Sequence, residues 1–488
     1  MPGANITMPG PRAIIFLKTG KEKVFFHMDG PKAVQAFGEA LPLWSTVPFA
    51  GMLLSIALGP LFAPRFWHGH FGKISAFWAA ASVVSLSIIF GQQAAAGFLS
   101  VLVNEYLPFI ILMGTLYVIS GGILITGSLS GTPGSNTALL LAGALLANIM
   151  GTTGAAMLLV RPLIRANAHR KNRTIVMIFF IFLVANIGGA LTPLGDPPLL
   201  LGFLVGVPFF GTLRLYPHML LATSFLLMVY YLADRHIYKV ESSNPEGEKA
   251  MRTGVANGRP FRVRGAQNLI FLAVAIGAMI AGAKAHLGRI YFPGGQKEIS
   301  EVLRDLIVFL MSLFSMLLTP RDIRDENGFT WFPIKEVAII FAGLFIAMMP
   351  CLAILQAGTR GHLGCLVHAV RSPARYFWAT GALSSFLDNA PAYLAFFKTA
   401  LGNFYPGMET RSAAMLLVRQ HPAYLEAISA GSVFFGAFTY IGNAPNFMVR
   451  SISEESGVEM PGFTGFMMKY SLPVLLPLFV LETFIFFR

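Results

Sequence analysis

Long runs of apolar residues alternate with short polar stretches along this chain of 488 residues. Several runs reach the roughly 20 residues that a helix needs to cross the hydrocarbon core of a bilayer. They are solidly apolar, whereas the strands of a membrane barrel would alternate in polarity. Clear examples begin at Leu41 and Glu336. The pattern therefore predicts an all-α polytopic membrane protein.

The predicted elements follow the same order twice: three spans, two short apolar segments, a run broken by Gly and Pro, and a closing span. In the first half they lie at about 42–62, 75–93, 104–126, 135–150, 153–164, 174–210 and 217–233. In the second half they lie near 267–286, 302–320, 336–356, 374–400 (both short segments), 425–449 and from 466 onwards. We expect an amino-terminal extension (1–41), a first transmembrane repeat (42–233), a linker (234–266) and a second repeat (267–488).

The two broken runs also resemble each other residue by residue. The segment "ALTPLGDPPL", which begins at Ala190, aligns with "AFTYIGNAPN", which begins at Ala437. Glu105 and Glu336 likewise each open the third span of their half. The matched pairs in the broken runs are Thr192 with Thr439, Gly195 with Gly442, Asp196 with Asn443, and Pro198 with Pro445. Two matches in the same order indicate an internal duplication.

Charge orients these halves. Only 12% of residues are charged, and the net charge of +13 is concentrated in the segment 161–173 and in the linker. The positive-inside rule explains such basic loops without nucleic acid and places both in the cytoplasm. If the short segments are re-entrant hairpins, the first half starts outside and the second inside, which makes an inverted repeat. The amino-terminal forty residues are too polar for a span, no cleavable signal is evident, and Cys351 and Cys365 are expected to be free thiols.

Four breaks in the apolar segments indicate a binding site. Each unpaired backbone group in lipid costs about 2–7 kcal/mol, so breaks persist only where protein or a water-filled cavity satisfies them. Half-helix N-termini then favour anions, and unwound carbonyls favour cations. A proline-kinked helix with a loop at the membrane surface is the alternative interpretation. The breaks lie at Gly151–Thr153, Thr192–Pro198, Asp388–Pro391 and Thr439–Pro445.

These segments resemble the ion transporter superfamily. "NIMGTTGAAMLLVRP" is similar to its hairpin-tip motif, "TPLGDPP" to its Gly-Thr-Pro-Pro-type break, and "SSFLDNAPAYLAFF" to the Asp-Asn motif of NhaD-type sodium/proton antiporters and citrate-transporter-like relatives. The resemblance covers about residues 42–487. It implies two inverted repeats, each with a re-entrant hairpin and a discontinuous helix, commonly in a dimer that works by an elevator motion. Neither tip carries the Ser-Asn-Thr triplet with which the superfamily's dicarboxylate transporters bind sodium and carboxylate, and this counts against a dicarboxylate as cargo. No arginine lies within the motifs to clamp a carboxylate, and this favours a cation.

The resemblance places Thr152 and Thr153 at the first hairpin tip, and Asp388 and Asn389 at the second. A carboxylate deep in an apolar segment is costly and usually functional, and Asp388 could bind either H⁺ or Na⁺ in exchange. Capping a half-helix is its alternative role. Asn389 could be a neutral cation ligand or an inter-helix hydrogen-bonding group.

Asp196 could be a second cation ligand or proton carrier, or a residue that forms the turn before two prolines. Four further side chains offer oxygens suited to a hard cation, or could bond freed backbone: Thr192, Thr439, Asn443 and Asn446. Asn148 and Asn186 are equally plausible as helix-packing groups. We expect structural or solvated positions for the remaining charged candidates: Glu105 and Glu336 at interfaces, Arg161 at a segment end, and His68, His70 and His169 in loops.

The sequence therefore predicts a secondary transporter of the cell inner (plasma) membrane, not an enzyme, with no resident cofactor. No phosphate-binding loop for ATP appears. Sodium or lithium exchange for protons is the favoured activity, with Na⁺ and H⁺ as cargo. The alternatives are proton- or sodium-coupled transport of citrate or another carboxylate, transport of arsenite or another oxyanion, and a membrane enzyme or complex subunit. The expected partners are the bilayer, a small ion or carboxylate and, from the resemblance, a second copy of the chain, but no nucleic acid.

Overall fold

The computed structural model describes residues 14–19, 22–27, 37–91, 93–127, 130–243, 262–293 and 295–488. This part of the chain is mainly helical and has only three two-stranded sheets. Eight helices in it are long and apolar enough to cross a membrane. The predicted all-α polytopic class is confirmed.

The first half has two hairpin-like or broken regions between longer helices. Its helices are α1 (Val47–Phe62), α2 (Pro64–Phe90), α3 (Gln93–Val101), α4 (Leu107–Gly121), α5 (Pro133–Met150), α6 (Thr152–Ala166), α7 (Thr174–Leu183), α8 (Pro197–Leu204) and α9 (Tyr216–Glu241). A π-helical segment, Leu102–Tyr106, joins α3 to α4. Shorter 3₁₀ segments are Leu43–Thr46, Ile187–Gly189 and Phe209–Leu215.

The second half repeats this order with additional short helices. Its helices are α10 (Gln267–Lys284), α11 (Ile299–Leu318), α12 (Arg321–Glu326), α13 (Phe332–Gln356), α14 (Gly364–Ala369), α15 (Pro373–Leu387), α16 (Asn389–Phe404), α17 (Thr410–Gln420), α18 (Pro422–Phe435), α19 (Ala444–Glu455), α20 (Phe463–Phe466) and α21 (Leu472–Phe486). A π-helical segment, Met467–Ser471, joins α20 to α21. The 3₁₀ segments are Gly358–Arg360 and Gly436–Phe438. Apolar residues from both halves form one continuous core.

The second span starts earlier than its apolar pattern indicates. The predicted span at 75–93 is part of α2, which begins at Pro64. Proline fits the first position of a helix, where its missing N–H leaves no intrahelical bond unmade. The polar residues that follow therefore continue the helix beyond the apolar stretch. Consequently His68 and His70 lie on α2, and their predicted placement in a loop is wrong.

The strands of the described residues form three small sheets that are separate from the long helices. In the amino-terminal extension, β1 (Ile14–Thr19) pairs antiparallel with β2 (Glu22–His27), so that Ile14 lies opposite His27. The sequence did not predict this hairpin; the rest of the extension up to residue 36 and linker residues 244–261 lie outside the described residues. The pairs β3 (Leu124–Thr126) with β4 (Arg262–Arg264) and β5 (Arg289–Phe292) with β6 (Gly295–Glu298) complete the sheets.

The basic loop and the end of the linker lie at the same face of the molecule. Strand β4 of the linker pairs with β3, which follows α4. Arg165, near the end of α6, donates a hydrogen bond to the carbonyl of Ile125 in β3 (3.0 Å). Asn136 and Asn167 exchange amide hydrogen bonds of 2.8 and 2.9 Å, which tie the start of α5 to the end of α6. The two basic segments are thus on one side, as the charge rule requires, while the inverted orientation of the repeats stays a prediction.

A buried ion pair fixes the hairpin of α5 and α6 to the closing helix α9. The Arg170 guanidinium lies 2.7 Å from the Asp234 carboxylate, and both side chains are almost fully buried. The Tyr230 hydroxyl donates to the same carboxylate (2.9 Å), and Glu241 lies 3.2 Å from the guanidinium. These contacts hold the basic loop against the end of α9.

We expect the Asp234→Ala substitution to lower the free energy of unfolding by about 3 kcal/mol or more, because it leaves a buried Arg170 without its closest counter-charge. Thermal unfolding in detergent measures this change. Asp322→Ala is the matched control, since its pair with Arg264 is exposed and should contribute little. Equal unfolding temperatures for the two variants would contradict this assignment.

Candidate functional site

The first hairpin turns at a single glycine. Gly151 separates α5 from α6 and has φ 82° and ψ 154°, a conformation that residues with a Cβ rarely adopt. The amide of the next residue, Thr152, donates to the carbonyl of Gly195 in the first broken helix (2.8 Å). The hairpin tip is therefore held directly against the first helix break.

The second hairpin turns at an aspartate in nearly the same conformation. Asp388 separates α15 from α16 with φ 74° and ψ 143°, and is the one non-glycine residue with positive φ in the described part of the chain. Holding a non-glycine residue in this region costs about 1–3 kcal/mol. One carboxylate oxygen accepts from the amide of Ala390 (3.2 Å), so Asp388 also caps α16. A strained carboxylate where Gly151 serves in the other half indicates that its side chain has a use beyond the turn.

Asp196 lies in one helix break and binds residues of the other three, so it is the junction of all four breaks. It lies in the first broken helix, just before α8, and is only 1% exposed. Its Oδ1 accepts hydrogen bonds from the Thr152 hydroxyl (2.9 Å) and the Asn443 amide (3.0 Å). Its Oδ2 accepts from the Asn389 amide. These donors come from the first hairpin tip, the second broken helix and the second hairpin tip, so one carboxylate joins the breaks of both halves.

A free oxygen lies beside this junction. The Asn389 side chain is fully buried, and its Oδ1 has no hydrogen-bond partner among the described residues. Asp388 immediately precedes Asn389 in the chain, and the Asn389 amide binds Asp196, so the two carboxylates are neighbours through Asn389. Such an all-oxygen donor set suits a proton or a hard cation such as Na⁺.

The two matched threonines make the same contact. The Thr192 hydroxyl donates to the carbonyl of Asn148, three residues before Gly151 (2.5 Å). The Thr439 hydroxyl donates to the carbonyl of Ser385, three residues before Asp388 (2.5 Å). Each hydroxyl thus joins a helix break to the hairpin of its own half. Both hydroxyls therefore bond to backbone carbonyls, which is the alternative role that the sequence left open.

A chain of amides connects the two broken helices. The Asn443 amide also donates to Asn186 (3.2 Å), and Asn186 donates to Asn446 (2.7 Å). Asn446 in turn donates to the carbonyls of Gly436 and Thr439 (2.8 and 2.9 Å). Asn186 was not among the predicted site residues, because an amide in an apolar segment fits helix packing equally well. Its place between the breaks could only be seen once the halves were brought together.

A cavity of about 560 Å³ opens beside these tips. Of the predicted site residues, four line it: Thr152, Thr153, Asp388 and Asn443. The remaining predicted residues are not in its wall: Asp196, Asn389, Thr192, Thr439 and Asn446. The cavity therefore reaches one carboxylate of the adjacent pair directly and the other through its hydrogen-bonding partners.

Two helix N-termini also line this cavity. The first turn of α6 (residues 152–154) and the first turn of α19 (residues 444–445) both line it. Each helix is longer than ten residues. Helix N-termini carry partial positive charge and amide donors, so they are favourable places for an anion. The cavity thus combines anion-favouring helix ends with a carboxylate that can hold a cation.

Several charged or titratable side chains in the cavity wall had not been predicted there, among them Glu455, the last residue of α19. Arg161 on α6, His68 on α2 and Glu336 on α13 all line the same space. The sequence placed Arg161 at a segment end, Glu336 at an interface and His68 in a loop, since it could not show which helices pack together. Arg161 lies in the wall because α6 runs along the cavity from the hairpin tip.

The comparison with known families agrees with this geometry. Residues 38–487 match a family described as "Putative citrate transport". The chain belongs to this family. The match spans almost the whole chain, so the protein is a secondary transporter with several membrane spans and a small substrate. The resemblance to citrate-transporter-like proteins, predicted from the motifs, is confirmed. No curated protein matches the chain.

Proposed function

We propose that this protein couples the movement of a small carboxylate, such as citrate, to protons or sodium ions. The observation that supports this most is the single cavity that contains both two helix N-termini and Asp388. Its volume of about 560 Å³ lies within the roughly 300–1,000 Å³ range of small-molecule sites. Sodium and protons alone need no cavity of this size. The family's description supports the same cargo.

In the proposed site, the carboxylate groups bind at the first turns of α6 and α19. The cation or proton binds between Asp388 and Asp196, with the Asn389 oxygen as a further ligand. Thr152 donates to Asp196 and also begins α6. Binding of a carboxylate at α6 therefore alters the cation position at Asp196, and the reverse. This shared residue provides a physical link between cargo and coupling ion.

Sodium/proton antiport, which the sequence favoured, is the second candidate. It is supported by the two adjacent carboxylates and by the lack of a basic side chain at either tip among the described residues. In this mechanism Asp388 and Asp196 would exchange a proton for Na⁺ or Li⁺, and the helix N-termini would only stabilise the fold. We further propose that the protein functions in the plasma membrane, with its basic loops in the cytoplasm, as a homodimer.

Proteoliposomes distinguish these candidates. We expect labelled citrate to accumulate when a proton or sodium gradient is imposed, and we expect no accumulation without a gradient. Na⁺, Li⁺ and K⁺ are added separately to vesicles that hold a pH gradient and a proton indicator. Collapse of the gradient by Na⁺ or Li⁺ without citrate would instead support antiport. No response to citrate or to any cation would contradict both proposals and leave oxyanions such as arsenite as cargo to test.

A further inference from the structure

A histidine lies between two glutamates near the start of the closing helix α9. His218 is only 2% exposed, and Glu482 on α21 is fully buried. The Nδ1 atom of His218 lies 3.0 Å from Glu482 Oε2, and its Nε2 atom lies 3.9 Å from Glu426 Oε2 on α18. Ionisable side chains buried in membrane-spanning segments are costly and usually functional. The proposed cation site uses none of these three residues, so they require a separate explanation.

One oxygen of this cluster is free to take a proton. Glu482 Oε2 is occupied by His218, while Glu482 Oε1 is buried and has no hydrogen-bond partner among the described residues. The rings of Phe486 and Phe487 pack on His218, with centroid distances of 4.0 and 5.1 Å. A carboxylate oxygen left unpaired in such apolar surroundings costs free energy. Protonation of Oε1 would remove the negative charge that these surroundings penalise.

Few other ionisable groups face His218. Helix α9 packs against α5, α7, α21 and the 3₁₀ segments on either side of α8. The ionisable residues in these elements are Glu482 and Arg214. Arg214 lies 3.9 Å from Glu426, and both of these side chains are partly exposed. Glu426 therefore connects the buried pair to the surface and gives a proton a short route to it.

The cluster lies on the face opposite to the basic loops. The far end of α9 is fixed to the basic segment 161–173, because Glu241 accepts a hydrogen bond from the amide of Asn172 (2.7 Å). His218 precedes Glu241 by 23 residues, which correspond to about 35 Å at roughly 1.5 Å per residue. This distance exceeds the roughly 30 Å hydrocarbon core. His218 and the basic loops are therefore at opposite sides of the membrane.

Helix contacts link the cluster to both broken helices. The sulfur of Met219, the residue after His218, accepts a weak hydrogen bond from the Asn148 amide (3.9 Å). The carbonyl of Asn148 in turn accepts from the Thr192 hydroxyl in the first break. Glu426 lies on α18, which leads directly into the second break. A change of charge in the cluster can therefore reach the breaks of both halves.

We propose that His218, Glu482 and Glu426 form a second proton-binding site, accessible from the side opposite to the basic loops. A proton from that side binds at Glu482 Oε1 and makes this side chain a neutral acid, while the proton between His218 and Oε2 stays in place. The charge of His218 is then balanced by Glu426 alone. Helices α9 and α18 thus respond to the pH of that side. This inference goes beyond the proposed function and holds for either cargo.

Infrared difference spectroscopy of the purified protein tests this site without any cargo. Spectra are recorded at about pH 8 and about pH 5, an interval in which histidine titrates and exposed glutamates stay mostly ionised. We expect a carboxylic-acid C=O band that appears at the lower pH. It should be lost in Glu482→Gln and retained in Asp196→Asn, since Asp196 belongs to the other site.

Glu298→Gln is the matched control, because Glu298 also lies beside a histidine, His286 (3.2 Å), which is 77% exposed. This control should keep the band. His218→Gln should shift the position of the band, because it changes the hydrogen-bond partner of Glu482, and it tests the site even if Glu482→Gln fails to fold. Loss of the same band in Glu482→Gln and Glu298→Gln, or in neither, would overturn the proton site.

Proteoliposomes measure the effect on transport of the cargo that the citrate and cation experiments identify. The pH on the side of the basic loops is held constant, and the pH on the other side is varied from about 8 to about 5. Wild type and Glu298→Gln should depend on this pH more steeply than Glu482→Gln, by up to about tenfold per pH unit, the limit for one proton. Equal profiles would overturn the effect on transport. The infrared result does not depend on the cargo, so the two proposals can fail separately.

Discussion

The Asp196→Asn variant is expected to lose transport by a factor of about 30–100, which corresponds to about 2–3 kcal/mol for one charged partner of a bound cation. Asp196 receives hydrogen bonds from Thr152, Asn443 and Asn389, so all three of its hydrogen-bond partners are donors. An asparagine keeps the shape but places an NH₂ group against one of these donors. We therefore also expect the free energy of unfolding to fall by about 1–3 kcal/mol.

Gradient-driven uptake in proteoliposomes measures the first effect, and thermal unfolding in detergent measures the second. Asp322→Asn is the matched control, because it makes the same chemical change at an exposed position on α12. The expected control result is wild-type uptake and stability. If Asp196→Asn retained full gradient-driven uptake, Asp196 would be a structural junction only.

The Asp388→Gly variant should separate stability from function. Glycine adopts φ 74° without the cost of about 1–3 kcal/mol that aspartate bears. Loss of the cap on α16 and the greater freedom of unfolded glycine offset part of this gain. We expect stability to be unchanged or raised by up to about 2 kcal/mol, while gradient-driven transport is lost together with the carboxylate.

Gly151→Ala is the complementary variant at the matched position. It introduces strain of about 1–3 kcal/mol, and its new Cβ would lie 3.3 Å from the Leu194 carbonyl oxygen. It should therefore be less stable than wild type, opposite to Asp388→Gly. Asp388→Asn retains the strained turn and the shape of the side chain, and is expected to be folded but inactive. A stable and fully active Asp388→Gly variant would show that the carboxylate has no role in transport.

Much of the architecture could be predicted from the sequence, because long apolar runs and the breaks within them are local features. A bilayer requires long apolar helices, and breaks within them stand out as Gly, Pro and polar residues. The alignment of Thr192 with Thr439 was visible in the sequence, and the structure gives the two hydroxyls the same contact with their hairpins. The breaks and their pairing could therefore be predicted before any packing was known.

The roles within the site depended on packing between the halves and could not be predicted. The sequence offers Asp196 only as a second ligand, a proton carrier or a turn residue, because a proline-rich turn is a simple reason for an aspartate. Only the structure shows that donors from three other breaks converge on Asp196. Glu336, Arg161 and His68 were missed for a similar reason: the helices α2, α6 and α13 are distant in sequence and meet at the cavity. The positive φ of Asp388 also has no signal in sequence, since glycine is the residue expected there.

The Asp196–Asp388 pair is the proposed binding site of the coupling ion. Its most direct test is ion exchange by the purified protein in weakly buffered detergent solution, measured with a proton indicator and a sodium electrode while Na⁺, Li⁺ or citrate is added. We predict that wild type and Asp322→Asn take up or release about one ion per chain, as a single shared carboxylate site would. Asp196→Asn and Asp388→Asn should exchange none. Exchange of the same size in both of these variants would contradict this site and place the coupling ion elsewhere in the protein.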